Sequence, residues 1–553
     1  MAQNLFIDNS DLQFHFANLE LEEIARLREK DYTDEGGPAD FSAARKLYRE
    51  KLDEIGGIAA ENIAPRAKEA DLVGARFSQV EHKVVIPEAV KQNLKDIREA
   101  HLTGVTLPRQ YGGLNFPTTI YSMMTEIVSR ADASLQNLFG LQSIAETVLM
   151  FGSEEQKMKV LPPFAAGEWD GAMALTEPDA GSDLQSVQTK ATLGEDGVWR
   201  INGKKHFITN GTAKVLLVLA RSEEGTKDGR GLSMFLVHPC PELVVNRIEH
   251  KLGIHASHTC ELIFNNVPAE LVGKRKMGLI RYVMSLMNGA RLAISAQAVG
   301  LAEATREAAW EYCSNRTQFG KKLCEIKPVW EMLTRIDALT AASRALLYLT
   351  CKYVDLRDCW NKEAERTGDT EAAAKSKHFA QLADVMTPMT KAFSTESANQ
   401  CAYDCIQCHG GKGYMAERPV ERYYRDARIM NIYEGTTQMQ VIAATAGIFK
   451  NSLDDIFAEL DGFHYSDEAA KQLQEVSRVR QIVLEAQKAL ANAKESMELL
   501  SRRIVRGQTI VLAAMLLLKE ATLESNRLKL AERFIWEYLP EAEMHASIVT
   551  KSL

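Results

Sequence analysis

Four stretches of this chain carry residue types that could do chemistry. The first is Ala174-Leu175-Thr176-Glu177-Pro178-Asp179-Ala180-Gly181-Ser182-Asp183. An apolar strand end breaks at Pro178, and Gly181 lets backbone come close to a ligand. Thr176, Ser182 and the amides of such a loop offer hydrogen bonds to a heteroaromatic ring or a phosphate. The second is Cys405-Ile406-Gln407-Cys408-His409, which has the C-x-x-C-H spacing of haem attachment; with Cys401 it also gives the C-x3-C-x2-C spacing of some iron–sulfur sites. It reads as a helix end stopped by Gly410 and Gly411, without the export pattern that covalent haem requires. Small buried thiols are therefore expected, and no metal is assigned. The third, Gly411-x-Gly413-x-x-Ala416, fits a dinucleotide fingerprint, which needs a strand before it and a helix after. A Cys-rich helix precedes it and Pro419 follows, so a Rossmann site is rejected. The fourth is Glu434, within Ile432-Tyr433-Glu434-Gly435-Thr436-Thr437-Gln438. By residue type alone it is a helix-start carboxylate, since Glu is favoured in a first turn.

The elements that position these stretches follow from periodicity. Residues 1–44 are acidic and punctuated by Gly36-Gly37-Pro38, an accessory arm ending in a loop. Residues 45–170 have helical periodicity, interrupted by the turn-rich connector Leu107-Pro108-Arg109-Gln110-Tyr111-Gly112-Gly113-Leu114. Residues 171–276 change character: 198–209, 214–220, 232–237 and 261–264 are short runs rich in Val, Ile, Leu and Phe, parted by turns. Helices return over residues 277–450, with 361–376 read as a solvated loop. Residues 451–553 are a further helical block, in which Leu473, Val476, Val483, Leu490, Met497, Leu500 and Ile504 make one apolar face. A second helix is predicted over 508–538, stopped by Pro540. Within it, 510–518 is apolar almost all round, which suits a buried helix and is too short to span a bilayer. The fold class is α+β: an N-terminal helical domain, a central small β domain, a C-terminal four-helix-type domain and an extra C-terminal helical block.

Composition narrows the function classes. A chain of 553 residues exceeds one compact core. A net charge of −8 argues against a nucleic-acid binder, which needs a basic surface. The opening residues lack both a secretory pattern and the Arg-rich, acid-poor pattern of a transit peptide, so a cytoplasmic location is expected. Nine cysteines, an odd count, fit reduced thiols.

In their order along the chain, the motifs resemble those of the acyl-CoA dehydrogenase superfamily over roughly residues 45–450. The loop at Thr176 is similar to its T-E-P-x-A-G-S-D signature. Asn202-Gly203-Lys204-Lys205-His206-Phe207-Ile208-Thr209-Asn210-Gly211 resembles the strand and turn lying against the flavin. Lys251-Leu252-Gly253-Ile254, residues 257–264 and Pro268 resemble the strand closing the β domain. Arg316-Thr317-Gln318-Phe319-Gly320 resembles the R-x-x-F-G element that reaches a neighbouring subunit's flavin, and Gln407, Gly410, Gly411 and Gly413 its Q-x-x-G-G-x-G loop. Tyr424-Arg425-Asp426-Ala427-Arg428 then leads to Glu434.

The resemblance implies FAD as cofactor. Met173, Leu175, Thr176, Gly181, Ser182, Phe207, Ile208 and Thr209 would hold the isoalloxazine; Arg316, Phe319, Gln407, Gly410 and Gly411 would hold the pyrophosphate and adenosine of the partner's FAD; Thr436 and Gln438 would contact FAD beside the base. Ser182, Asn288, Arg291, Tyr433 and Gly435 would bind coenzyme A, with a permanently charged guanidinium suited to that ligand. Glu434 would be the base that removes the α-proton of an acyl-CoA thioester, while flavin N5 takes the β-hydrogen as hydride to give the trans-2-enoyl-CoA. Some relatives place their base just before the coenzyme A arginine; here that position is Ala290, which cannot serve. Three departures stand out: Phe207 where many relatives have Trp, Lys327 in place of Gln, and Asn288 in place of Asp. An electron-transfer flavoprotein is the implied acceptor. A homodimer is expected over a tetramer, the extra block occupying the place of a second dimer, and membrane contact is not favoured. The rival readings are an acyl-CoA oxidase using oxygen and a non-catalytic assembly or membrane adaptor on the same fold.

Overall fold

The computed structural model describes residues 4–81 and 83–553. They form two compact units, one of residues 4–9 and 28–293, the other of residues 10–27 and 294–553. The opening segment is more than an arm. It holds α1 (Ser10–Asn18) and α2 (Glu22–Arg28), and α1 with nearly all of α2 belongs to the second unit.

In the first unit, α3 (Phe41–Ile58) starts where Asp40 accepts the amide of Ala43 at 2.8 Å. It is followed by α4 (Ala64–Val73), a small hairpin of β1 (Arg76–Ser78) and β2 (Lys83–Val85), and α5 (Glu88–Glu99). The predicted connector at Leu107 is present as a short 3-10 turn, Arg109–Tyr111, ahead of α6 (Thr118–Ala131). Three further helices are α7 (Ala133–Phe139), α8 (Gln142–Phe151) and α9 (Glu154–Ala165), the last opened by a reciprocal capping box of Ser153 and Gln156.

The β domain comprises β3 (Gly171–Ala174), β4 (Lys190–Leu193), β5 (Trp199–Thr209), β6 (Val215–Arg221), β7 (Leu232–Val237), β8 (Leu243–Ile248) and β9 (Thr259–Val272). Strands β4, β5, β9, β7 and β6 pair in a closed ring, with β3 added on β6 and β8 on β9. Closure removes edges that would otherwise stay unpaired. One face of the sheet packs Ile201, Ile208, Leu216, Val218, Phe235, Leu262 and Phe264 together. The other sets Val215, Leu217, Leu219, Met234 and Leu236 against Ile144, Val148, Val160 and Leu161 of α8 and α9. Every residue of β6 is buried, because both its faces are covered; its sequence is therefore continuously apolar rather than alternating. Strands β4 and β8, with alternating or charged sequences, were not among the predicted runs, and β9 is far longer than the four residues expected.

In the second unit, the long α10 (Met284–Asn315) enters from the first and ends in a hairpin of β10 (Thr317–Gln318) and β11 (Lys321–Lys322). Next come α11 (Lys327–Thr367) and α12 (Thr370–His409), of 41 and 40 residues, each about 60 Å long at 1.5 Å per residue. The solvated loop predicted over 361–376 is corrected: only Gly368 and Asp369 separate the two helices. Gly368 takes the left-handed φ of +71° that ends α11, and Asp369 caps α12 through the amides of Glu371 and Ala372. A polar surface stretch thus hides a tight helical hairpin. The two helices flanking Glu434 follow as α13 (Val420–Met430) and α14 (Thr437–Ile448).

The C-terminal block is α15 (Asp454–Asp461), α16 (Asp467–Ala491), α17 (Met497–Leu523) and α18 (Leu528–Ser552). The apolar face read over 473–504 is divided between α16 and α17. The helix predicted to stop at Pro540 instead breaks at residues 524–527, and α18 runs through the proline. A proline inside a helix costs about 3 kcal/mol; here Phe534, Ile535, Tyr538, Leu539, Ala542, Ala546 and Val549 of α18 are all buried, and their packing outweighs it. Residues 510–518 are buried, as their all-round apolarity implied. No helix among the described residues is long and apolar enough to cross a membrane.

The block docks on its own chain. Arg533 Nε donates to Thr334 Oγ1 of α11 at 2.9 Å, Gln487 Nε2 donates to the carbonyl of Ile448 at 3.0 Å, and Phe534 lies against Phe393 of α12. The amino-terminal α1 is tied into the same unit by charge. Asp11 is ion-paired to both Arg344 and Arg527; Arg344 also pairs with Glu303 at 2.7 Å, and Arg527 with Glu520 at 2.7 Å.

Candidate active site

In the first unit the Thr176 loop leaves β3 and is stapled to β5. The amide of His206 donates to the carbonyl of Thr176 at 2.9 Å. The wholly buried Lys205 donates to the carbonyl of Leu175 at 2.8 Å and to Glu177 Oε1 at 2.9 Å. Glu177 in turn accepts the amides of Gln188 at 2.7 Å and Thr189 at 2.9 Å. Burial pushes Lys205 down to about 8 against the pull of Glu177. Burial alone would raise Glu177, but the Lys205 charge, with hydrogen bonds from Lys205, Thr189 and Gln188, holds it below the usual carboxylate range. Sequence reasoning assigned neither residue a role, although both lie inside the quoted motifs; a charged pair at two otherwise buried positions was the available signal.

Strand β5 carries a β-bulge where His206 and Phe207 face the single residue Glu261, between the pairs Lys205–Leu262 and Ile208–Cys260. Phe207 has φ +60° and is 58% exposed, so the bulge turns a large aromatic residue out of the sheet. His206 stacks on that ring at 3.9 Å and pairs with Glu249 at 2.7 Å. His206, Glu249 and Glu261 are close enough to share a cation, but Lys204 and Arg247 already pair with these carboxylates. Met173 lies in β3, Leu175 and Ile208 are buried, Thr176 and Thr209 are half-buried, and Gly181 and Ser182 are exposed on the loop. Arg291 is buried on α10, with Nη1 donating to Asn288 Oδ1 at 3.1 Å; the Asn keeps the acceptor that an Asp would supply and gives up its charge.

In the second unit, Glu434 follows α13 in a turn that caps α14. Thr436 accepts the amide of Met439 at 3.5 Å, and the amide of Thr437 donates to Asn431 O at 3.1 Å. Glu434 is half-buried with φ +53°, next to Gly435 at φ +88°. A left-handed non-glycine residue costs about 1–2 kcal/mol, so the turn must be held by its surroundings. It is held by carbonyl contacts: Lys391 Nζ donates to Tyr433 O at 2.7 Å and Gly435 O at 2.6 Å, and Gln440 Nε2 donates to Glu434 O at 3.2 Å and Gly435 O at 2.8 Å. The Tyr433 hydroxyl donates to Gln297 Oε1. Gln438 is exposed on the first turn of α14.

The remaining motif residues gather at one end of the second unit. Arg316 precedes the β10–β11 hairpin, whose tip carries Phe319 (φ +52°, 94% exposed) and Gly320 (φ +73°). Tyr312, just before it on α10, stacks on His409 at the end of α12 at 4.3 Å. This contact sets the hairpin beside Gln407, Gly410 and Gly411, which are exposed, and a Cβ added at either glycine would meet nothing within 4 Å. Cys401, Cys405 and Cys408 are buried free thiols on α12, as their helical context implied, and Cys401 and Cys405 are pushed up by burial. Lys327 lies over the ring of Trp330 at 5.3 Å. A flat exposed ring with hydroxyls close by in sequence, and an open glycine ledge beside an exposed arginine, suit the ring and the phosphates of a flavin dinucleotide.

Comparison with known proteins agrees with this geometry. Residues 48–168 match the model of the acyl-CoA dehydrogenase N-terminal domain, 172–267 that of the middle domain, and 280–358 with 364–449 that of the C-terminal domain. The 3-methylmercaptopropionyl-CoA dehydrogenase of Ruegeria pomeroyi is 35% identical over 71% of this chain and 69% of its own. The crystal structure of an acyl-CoA dehydrogenase complexed with FAD from Bacillus anthracis has TM-score 0.78 at 25% identity, covering 93% of this chain and 89% of its own. A chain from a structural study of the electron transferring flavoprotein of Acidaminococcus fermentans has TM-score 0.62 at 30% identity, covering 72% of this chain and 97% of its own. The wider coverage of the first structure takes in most of the C-terminal block as well. This chain therefore belongs to the acyl-CoA dehydrogenase family of FAD-dependent oxidoreductases.

Proposed function

We propose that the chain oxidises an acyl-CoA thioester to the trans-2-enoyl-CoA with Glu434 as general base. The observation that carries the reading is the backbone of Glu434 itself. A carboxylate is held in a left-handed turn by four hydrogen bonds to consecutive carbonyls. Strain that the surroundings enforce on a polar residue is characteristic of functional sites. FAD, when bound, supplies the hydride acceptor. Thr176, Ser182, Phe207 and Thr209 bind and orient the ring, while Arg316, Phe319, Gln407, Gly410 and Gly411 serve the pyrophosphate and adenosine of a partner's cofactor. Arg291, with Asn288, gives coenzyme A a guanidinium. Glu434 takes the α-proton once the thioester lies beside it.

The electrons pass to an electron-transfer flavoprotein, a reading supported by the Acidaminococcus neighbour. The working form is a homodimer, supported by the otherwise unexplained exposure of Phe319 and by the docking of the C-terminal block on its own chain. The test is anaerobic flavin bleaching across a panel of acyl-CoA thioesters with wild type and Glu434→Gln. Wild type should bleach, and the variant should retain FAD and ligand binding but lose about 10²–10⁴ in reduction rate, the range for a missing general base. Near-normal reduction by the variant would move the base elsewhere. Peroxide release during aerobic turnover would replace the dehydrogenase reading with an oxidase.

A further inference from the structure

We infer that Lys391 is the positioning residue of this active site, a buried ammonium that aims the Glu434 carboxylate without touching substrate. The inference rests on Glu434 being the base. Lys391 lies in the middle of α12 and is fully buried. A buried ammonium is costly unless its donors are satisfied. Two of its three protons go to Tyr433 O and Gly435 O, the carbonyls on either side of the base, at 2.7 and 2.6 Å. Gln440, also fully buried, supplies Glu434 O and a second donor to Gly435 O. All three carbonyls of the turn are therefore fixed by two side chains from two helices.

The consequence follows from the backbone. With φ +53° at Glu434 and +88° at Gly435, the turn has a lower-strain alternative in which Glu434 returns to negative φ and its side chain points in a different direction. Each carbonyl would then rotate away from its donor. Charge-assisted bonds at both flanks hold the turn in its strained form more firmly than neutral donors would. Gln440 also reaches two carbonyls, but as a neutral donor; the Lys391 ammonium spans Tyr433 O and Gly435 O, two residues apart, with bonds strengthened by its charge.

The test is Lys391→Met in the holoenzyme, using the acyl-CoA thioester that most rapidly bleaches the wild-type flavin. The limiting rate of anaerobic reduction should fall about 10²-fold, the scale of a misplacement of about 1 Å, while FAD content and thioester Kd stay within about threefold. Gln440→Met should show the same pattern with a smaller loss. Lys391→Met combined with Glu434→Gln should be no slower than Glu434→Gln alone, because Lys391 acts only through the base. A wild-type limiting rate in Lys391→Met overturns the inference, as does a loss that appears equally in FAD content and Kd, or one that persists in the Glu434→Gln background. If Lys391→Met does not assemble, Gln440→Met decides by the same outcomes. An active Glu434→Gln would instead overturn the base assignment, so the two failures are distinguishable.

Discussion

Replacing Lys205 with Met tests whether the Lys205–Glu177 pair builds the cofactor wall. Lys205 is completely buried and makes two bonds, to Leu175 O at 2.8 Å and Glu177 Oε1 at 2.9 Å. Its removal leaves Glu177 a buried carboxylate that keeps the amides of Gln188 and Thr189 but no cation. Breaking a buried ion pair from one side costs about 3–5 kcal/mol, because the remaining charge is uncompensated. Adding Glu177→Gln removes that charge, so the double variant should lose only about 1–2 kcal/mol, the scale of the lost hydrogen bonds. The second mutation is thus expected to restore stability, a coupling of about 2 kcal/mol or more. Thermal midpoints of the same transition, in excess FAD, give the comparison, since two units need not melt together. FAD retention on desalting gives the functional side: Leu175 and Thr176 hang from this staple, and a loosening of about 2 kcal/mol weakens retention roughly 30-fold. The reasoning is refuted if Lys205→Met melts and holds FAD like wild type, or if the double variant is as unstable as the sum of the singles.

Other outcomes follow from the ionic cluster around α1 and from the C-terminal block. Asp11→Ala should cost about 1.5–3 kcal/mol, the scale of a lost hydrogen bond to a charged group, since Arg344 keeps Glu303 and Arg527 keeps Glu520; an unchanged melting midpoint would refute it. His15 is held down to about 3, mainly by burial, from an ordinary 6.5, so below pH 6.5 the unfolded chain binds a proton that the folded chain refuses. Its share of stability is present above pH 6.5 and is lost as pH falls, by up to about 1.4 kcal/mol per unit. Glu520, pushed up to about 7 by burial, acts in the opposite sense between pH 7 and its ordinary 4.5. His15→Gln removes only the first effect, so its midpoint should gain on wild type between pH 7 and pH 5; a constant difference would contradict this. Light scattering should give a dimer for the intact chain. A tetramer that persists after removal of residues 451–553 would rule out the block as the reason for stopping at two.

Local sequence already pointed to much of the candidate site. Thr176, Phe207, Arg316, Gly410 and Glu434 lie in contiguous motifs whose backbone requirements are local, so residue order alone pointed to them. Apolar runs with both faces covered, such as β6 and residues 510–518, were legible because burial on all sides leaves no polar periodicity to disguise them. Tertiary structure decided where local preference was outvoted or silent. Pro540 should stop a helix, but α18 continues because its buried face gains more than one backbone bond loses. Residues 361–376 look like a loop because their side chains face water, while a single left-handed glycine and an Asp cap suffice to turn two long helices. The bulge that turns Phe207 outward depends on a residue count in β9, more than fifty positions away in sequence. Nothing in the local sequence marks Lys205 or Lys391 as buried; only packing shows that their ammonium groups are enclosed and aimed at carbonyls. A pattern along the chain records which side chains can do chemistry, but a hydrogen bond between distant segments records where they must stand, and that depends on the fold as a whole.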